Sequence, residues 1–120
     1  MGNPFSALFG RRHDDGALPA SISAEQALRM VADGATLVDV REPAEWRGGH
    51  APRAMHIPLG RLSERSARIP ADRPVVLVCA SGSRSRTAAK QLRAAGMEAT
   101  SLSGGLAAWQ AAGGSVRSGR

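Results

Sequence analysis

The run VVLVCA, Val75–Ala80, constrains this chain more than any other stretch: six consecutive apolar residues end at a loop of small residues, SGSRS. A short, valine-rich run without alternation describes a strand covered on both faces, which requires helices above and below a sheet. The rest of the sequence supplies them. Ser23 and Gln26 form a capping-box pair, Ala24, Ala27, Leu28 and Val31 share a face, and Gly34 offers a stop, so a helix is predicted over about 24–33. TLVDV, residues 36–40, reads as a strand; Pro43 then opens a short helix through Trp46. AMHI, residues 54–57, is a second strand, followed by a helical stretch around 62–67. After VVLVC, residues 75–79, a helix over about 84–95 places Ala88, Leu92 and Ala95 on one face and ends at Gly96. MEATSL, residues 97–102, is a weaker strand, and a last helix covers about 105–112. This alternation predicts a parallel, three-layer α/β domain.

The chain has 120 residues, one ordinary domain, enough to bury roughly 65% of its unfolded surface. Residues 1–20 hold Pro4, Gly10, Gly16 and Pro19 without sustained periodicity and are expected to be a flexible N-terminal extension. Residues 113–120 are expected to be a flexible C-terminal tail, leaving 21–112 as the domain. Hydrophobic residues at 42% and charged residues at 22% exclude disorder over most of the chain. The run from Val75 is far short of the roughly 18 residues of a membrane span, so no membrane partner is expected. In MGNPFSALFGRR the arginines follow the apolar stretch, opposite to a secretory signal, and the chain reads as starting at Met1. Met1, Gly2 and Ser6 fit a loose acylation pattern with too few fixed positions to carry a lipid assignment. The net charge of +6 suits an anionic substrate or an acidic partner. Against nucleic acid stand scattered basic residues, 3% aromatics and no tyrosine, which leave few stacking platforms.

The single cysteine, Cys79, excludes an intramolecular disulfide and paired-thiolate zinc, and it points to a reducing compartment, with the cytoplasm as the expected location. Open parallel sheets bind ligands beyond the carboxyl ends of their strands, where Cys79 falls. The loop Ala80, Ser81, Gly82, Ser83, Arg84, Ser85 can curl its amide N–H groups around one point, and the following helix aims its positive end there. This cradle, with Arg84 and Arg86 nearby, is expected to lower the Cys79 pKa and supply a nucleophilic thiolate near neutral pH. A cysteine ending an apolar strand is ordinarily an inert small hydrophobe; the loop is what reverses that reading. The lysine of a phosphate-binding G-x-x-x-x-G-K loop is absent, which disfavours nucleotides.

CASGSRS, residues 79–85, resembles the C-R-S-G-x-R-S active loop of the rhodaneses, sulfurtransferases that carry sulfur as a cysteine persulfide. VDVREPAEWRGGHAPRAMHIP, residues 38–58, and LSGGLAAW, residues 102–109, resemble that family's other two ordered motifs. The resemblance covers about residues 21–112. It implies a rhodanese-like α/β/α domain with a central, mostly parallel five-stranded sheet, and catalysis by Cys79 with neither metal nor cofactor. Sulfane sulfur would come from thiosulfate or a persulfide, an anionic donor, and pass to a thiol, to cyanide or to a sulfur-acceptor protein. Residues 80–85 would hold it. Arg84 is expected in an ion-pair or loop-shaping role, with contact to the donor as the second alternative; Asp39 and Arg41 are expected to brace the loop, bind a donor sulfonate, or form a structural ion pair. Glu45, His50 and His56 are expected to fix connecting segments by hydrogen bonds, Gly104 and Gly105 to permit a tight turn, and Trp46 and Trp109 to pack.

Two departures bear on the donor. Ala80 stands where the family loop often has arginine, and Ala51 and Arg53 replace the common isoleucine and glycine of the middle motif. Phosphatase or arsenate-reductase chemistry requires five residues between cysteine and arginine, whereas four separate Cys79 from Arg84, a ring better sized for one sulfur atom. The reading from another class is a non-enzymatic sulfur carrier or persulfide sensor acting with protein partners.

Overall fold

A computed structural model describes residues 18–119. The acylation pattern and most of the expected N-terminal extension lie outside the described residues. Five strands, β1 (Ser21–Ile22), β2 (Thr36–Asp39), β3 (Met55–His56), β4 (Val75–Val78) and β5 (Ala99–Leu102), form one sheet in the order β1-β5-β4-β2-β3. Every pairing is parallel, so the expected mostly parallel sheet is here parallel throughout. The helices are α1 (Ala24–Ala32), α2 (Pro43–Gly48), α3 (Leu62–Arg65, between 3-10 turns at Leu59–Arg61 and Ser66–Arg68), α4 (Ser83–Ala94) and α5 (Gly105–Ala111).

Strand alternation divides the core into two layers. Leu37 of β2, Val76 and Val78 of β4 and Leu102 of β5 meet Ala27, Met30 and Val31 of α1 and Trp109 of α5 on one face. Val38, Val75, Leu77 and Cys79 meet Leu62 of α3 and Ala88, Ala89 and Leu92 of α4 on the other. All four residues of β4 are buried, as its unbroken apolar run requires. Helix α1 starts where its capping box places it: Ser23 Oγ accepts from the Gln26 amide at 3.1 Å and Gln26 Oε1 from the Ser23 amide at 3.1 Å. The helical stretch expected around 62–67 is divided between α3 and the 3-10 turn at Ser66–Arg68, and only Leu62 in it reaches the core.

Three features depart from the sequence reading. Strand β1 is too short to carry a pattern, yet it pairs with β5, and Leu18 is buried while the Pro19 and Ala20 carbonyls accept from Thr100 Oγ1 and the Ser101 amide. Residues 18–20, expected in the extension, are thus held at the sheet edge. Residues 113–119, expected as a loose tail, fold back: His50 and Arg117 exchange two backbone hydrogen bonds at 2.9 Å, and the Ser115 carbonyl accepts from the Trp109 indole at 2.9 Å. The pairings of β1 with β5 and of His50 with Arg117 join groups far apart in sequence, which local pattern does not register.

The neighbours β2 and β4 send their connections toward opposite edges of the sheet. The crevice at their carboxyl ends, where Asp39 pairs with Val78, is therefore the place for a ligand site.

Candidate active site

Cys79 is the first residue beyond β4 and is fully buried. Its Sγ accepts the amide N–H of Gly82 at 3.0 Å and of Ser85 at 3.3 Å, and lies 3.5 Å from Ser85 Oγ. The curl that converges these groups needs Gly82, which caps α4 at a φ of 112°, a value side chains of L-residues rarely permit. The far wall of the loop needs Gly105, at a φ of 67°, where a Cβ would collide with the Ala80 carbonyl. Next to it, the Leu106 amide donates to the Cys79 carbonyl at 2.9 Å. The expected tight turn at Gly104 and Gly105 is therefore also the surface that holds the loop in place.

Burial pushes the Cys79 thiol up, but the Ser85 hydroxyl and the amides of Ser85, Gly82 and Ser81 outweigh it and bring the pKa below the ordinary 9.0. The lowered pKa expected from the sequence is present, with hydrogen bonds rather than neighbouring arginines as its principal agents. Arg84 is turned to Glu45 of α2 in a bidentate pair, Nη1–Oε1 at 2.7 Å and Nη2–Oε2 at 2.9 Å. That pair, the largest influence on Glu45, lowers its carboxyl to about 2.

Asp39 and Arg41 form a buried ion pair, with Nη2–Oδ2 at 2.8 Å and Nε–Oδ1 at 3.0 Å. The remaining reach of Arg41 goes to the Gly49 carbonyl at 2.6 Å and the Glu45 carbonyl at 3.3 Å. Of the three expectations for this pair, the structural ion pair is the one the geometry fits, and it braces the loop only through α2: Arg41 holds the Glu45 backbone, and the Glu45 carboxylate holds Arg84. His50 lies against Trp46 with ring centroids 3.6 Å apart, and His56 stacks on the same indole at 4.6 Å. Each histidine also faces a carbonyl at 2.7 Å, Trp46 O for His50 Nδ1 and Arg41 O for His56 Nε2. Both fasten the segment around α2, as expected of them.

Within the loop, Ala80, Ser81 and Ser83 are exposed and Ser85 is fully buried. A cleft of about 520 Å³ opens beside the loop, walled by Ser81, Gly82 and Ser83 and by Arg86 and Ser103. The structure also brings in a residue to which the sequence assigned no role. Ser101, buried in β5, has its hydroxyl 2.7 Å from that of Ser85. The available signal was a hydroxyl near the end of a buried strand, on the same face as Ala99; nothing local shows which helix residue it meets.

The model of the rhodanese-like domain family matches residues 23–112. YqhL of Bacillus subtilis, uncharacterized, is 43% identical over 86 residues, 71% of this chain and 68% of that protein. The uncharacterized slr1261 of Synechocystis is 45% identical over 73% of this chain, a match spanning only 49% of the relative. YtwF of Bacillus subtilis, which bears a provisional sulfurtransferase name, is 36% identical over 62% of this chain and 72% of its own length. Among solved structures, a rhodanese-related protein of Thermoplasma volcanium superposes with a TM-score of 0.75 at 29% identity, covering 82% of this chain and 98% of the other. The rhodanese-like domain of Anabaena Alr3790 gives 0.74 at 29% identity, with 84% and 80% covered. With the motifs, the parallel sheet and the amide-ringed cysteine in agreement, this chain belongs to the rhodanese-like domain family.

Proposed function

We propose that the protein is a sulfurtransferase that takes sulfane sulfur from thiosulfate or a persulfide and passes it, through a Cys79 persulfide, to a thiol or cyanide. The observation that carries this reading is Cys79 Sγ ringed by the Gly82 and Ser85 amides and the Ser85 hydroxyl. Those donors stabilise a thiolate, and the same ring of N–H groups suits the negative charge of a persulfide. The thiolate attacks the outer sulfur of thiosulfate; the donor S–S bond breaks, sulfite leaves with the electron pair, and the negative charge passes to the terminal sulfur on Cys79. An acceptor then attacks that terminal sulfur, and the Cys79–S bond breaks to return the thiolate. With cyanide the product is thiocyanate. The transfer is double-displacement covalent catalysis, with no net oxidation and every electron pair accounted for.

The cleft beside the loop supports an anionic donor, since Arg86 and four serines, Ser21, Ser81, Ser83 and Ser103, line it. Its loop is small: four residues between Cys79 and Arg84, and an Arg84 already engaged by Glu45, support sulfur over a tetrahedral oxyanion. A lone free thiol that must stay reduced fits work in the cytoplasm. A sulfur-acceptor protein is the partner this chemistry would serve.

Intact-mass measurement tests the reading. Exposure to thiosulfate or a small persulfide is expected to add one sulfur, about 32 Da, to the wild type, and cyanide or excess thiol to remove it. Absence of the adduct with every donor, or an unchanged adduct on Cys79→Ser, overturns it. Repeated turnover with small acceptors separates an enzyme from a carrier that loads once and waits for a protein.

A further inference from the structure

Ser85 is asked to do more than one hydroxyl proton allows. Its Oγ lies 3.5 Å from Cys79 Sγ, donates to the Gly82 carbonyl at 3.1 Å, and meets Ser101 Oγ at 2.7 Å. A serine hydroxyl has a single O–H to give and lone pairs to receive with. Ser101 is fully buried, and among the described residues Ser85 Oγ is the one hydrogen-bond partner of its hydroxyl. A buried hydroxyl that left its proton without an acceptor would lose a hydrogen bond it cannot replace with water. The proton of Ser101 therefore points at Ser85 Oγ, and Ser85 keeps its own proton for another acceptor.

We propose that Ser101 is a positioning residue for Cys79: by donating to Ser85 it lets the Ser85 proton alternate between the Gly82 carbonyl and the cysteine sulfur as the charge on that sulfur changes. The proposal rests on the sulfurtransferase reading for its purpose, though not for its geometry. In the thiol state Cys79 donates to Ser85 and Ser85 to Gly82 O. On ionisation Sγ no longer has a proton to give, and Ser85 rotates its O–H onto the thiolate. The Gly82 carbonyl is not orphaned by that rotation, because the Arg86 amide also donates to it, at 3.2 Å. When sulfur transfer moves the charge to the terminal atom of a persulfide, the Ser85 proton is free to return. Ser101 donates throughout, polarising Ser85 and strengthening what it gives to the sulfur. Ser101 touches neither sulfur nor substrate in this arrangement; its effect passes entirely through Ser85.

The chain permits a direct test, since it has one cysteine and no tyrosine, so thiolate absorbance near 240 nm reports Cys79 alone. The pH midpoint of that signal is read for the wild type, Ser101→Ala, Ser101→Thr, Ser85→Ala and the Ser85→Ala/Ser101→Ala double variant, with Cys79→Ser as blank. Ser101→Ala is expected to raise the midpoint by roughly 0.5 pH unit. Sulfur loading from thiosulfate should then slow about twofold well below the midpoint, where a roughly threefold loss of thiolate is partly offset by its higher nucleophilicity, and run slightly faster than the wild type above it. Ser101→Thr, which keeps the hydroxyl, is expected to restore the midpoint, and in the Ser85→Ala background removal of Ser101 is expected to change nothing further. Thermal melting of each variant separates these effects from loss of fold. An unchanged midpoint in a folded Ser101→Ala, or an equal shift with Ser85 already absent, overturns the proposal. If the wild-type midpoint itself were not lowered, the activated-cysteine reading would fail instead, so the two failures are distinguishable.

Discussion

At the scale of single residues, the site is made by hydrogen-bond donors aimed at one sulfur, and the charged side chains sit around it rather than against it. The Arg84–Glu45 pair shows the distinction. Its guanidinium is bound through both terminal nitrogens to one carboxylate, so its contribution is to hold α2 against the start of α4. Glu45 ionises at about 2 in the folded chain against 4.5 ordinarily. A depressed folded pKa gives stability that is fully present above about 4.5 and is lost as the pH falls through about 2. Glu45→Gln is therefore expected to lower stability at neutral pH by about 1 kcal/mol or less, since both side chains are about one-third exposed. Its deficit should shrink steadily as the pH falls from about 4.5 to about 2, as seen in urea unfolding at a series of pH values; a deficit unchanged from pH 7 to pH 2 would show that the pair is not its source. Ala80 is the other informative position. It is exposed at the loop, and its carbonyl rather than its side chain packs on Gly105. Ala80→Arg is thus expected to fit, and to raise thiosulfate efficiency several-fold, on the order of 1 kcal/mol, by attracting a dianion. Steady-state kinetics at two salt concentrations, with an uncharged trisulfide as comparison donor, check this: equal gains for both donors, independent of salt, would count against it.

At the scale of elements, the loop after β4 takes its shape from two neighbours, the first turn of α4 and the turn between β5 and α5. Gly82 supplies the left-handed corner on one side and Gly105 the close approach on the other. Because the Cβ of any other residue at 105 would meet the Ala80 carbonyl, Gly105→Ala is expected to displace the Cys79–Ala80 peptide and loosen the Leu106 amide from the Cys79 carbonyl. The amides around Sγ would then converge less well. The expected result is a Cys79 thiol titrating closer to 9.0 and at least a tenfold loss of sulfur loading, with circular dichroism reporting the fold. Retention of both the lowered pKa and full loading would show that the turn does not set the loop.

At the scale of the whole molecule, the sheet order decides where chemistry can happen, and the ends of the chain decide how firmly the frame is closed. Residues 18–20 extend the edge at β1, and 113–119 run back past α5 to reach His50 and Arg47. Val116 packs against the core layer of α1 and α5. Deleting residues 114–120 would remove the partners of the Trp109 indole, of both His50 backbone groups and of the Arg47 carbonyl. Net of the ordering entropy those residues lose, a destabilisation of about 2 kcal/mol is expected, measured by urea unfolding followed through tryptophan fluorescence. An unchanged midpoint would mean that the segment contributes nothing to stability.

Much of this arrangement is carried by local sequence. The unbroken apolar run of β4 needs two covering layers and finds them; the Ser23–Gln26 box starts α1; and CASGSRS places a cysteine, a left-handed glycine and a helix start between residues 79 and 83, so the cradle is built almost entirely from neighbours in the chain. Those features were legible because each depends on contacts within a few residues. The pairing of β1 with β5, the return of residues 113–119, the closure of Arg84 by Glu45, and the hydroxyl that Ser101 offers Ser85 were not. Most of the bonds that make them join groups sixteen or more positions apart, and a two-residue strand or a single serine carries no periodic signal. What such a group bonds to is determined only when the sheet sets β5 beside β4 and α4 packs across both, because burial then leaves its proton a single acceptor.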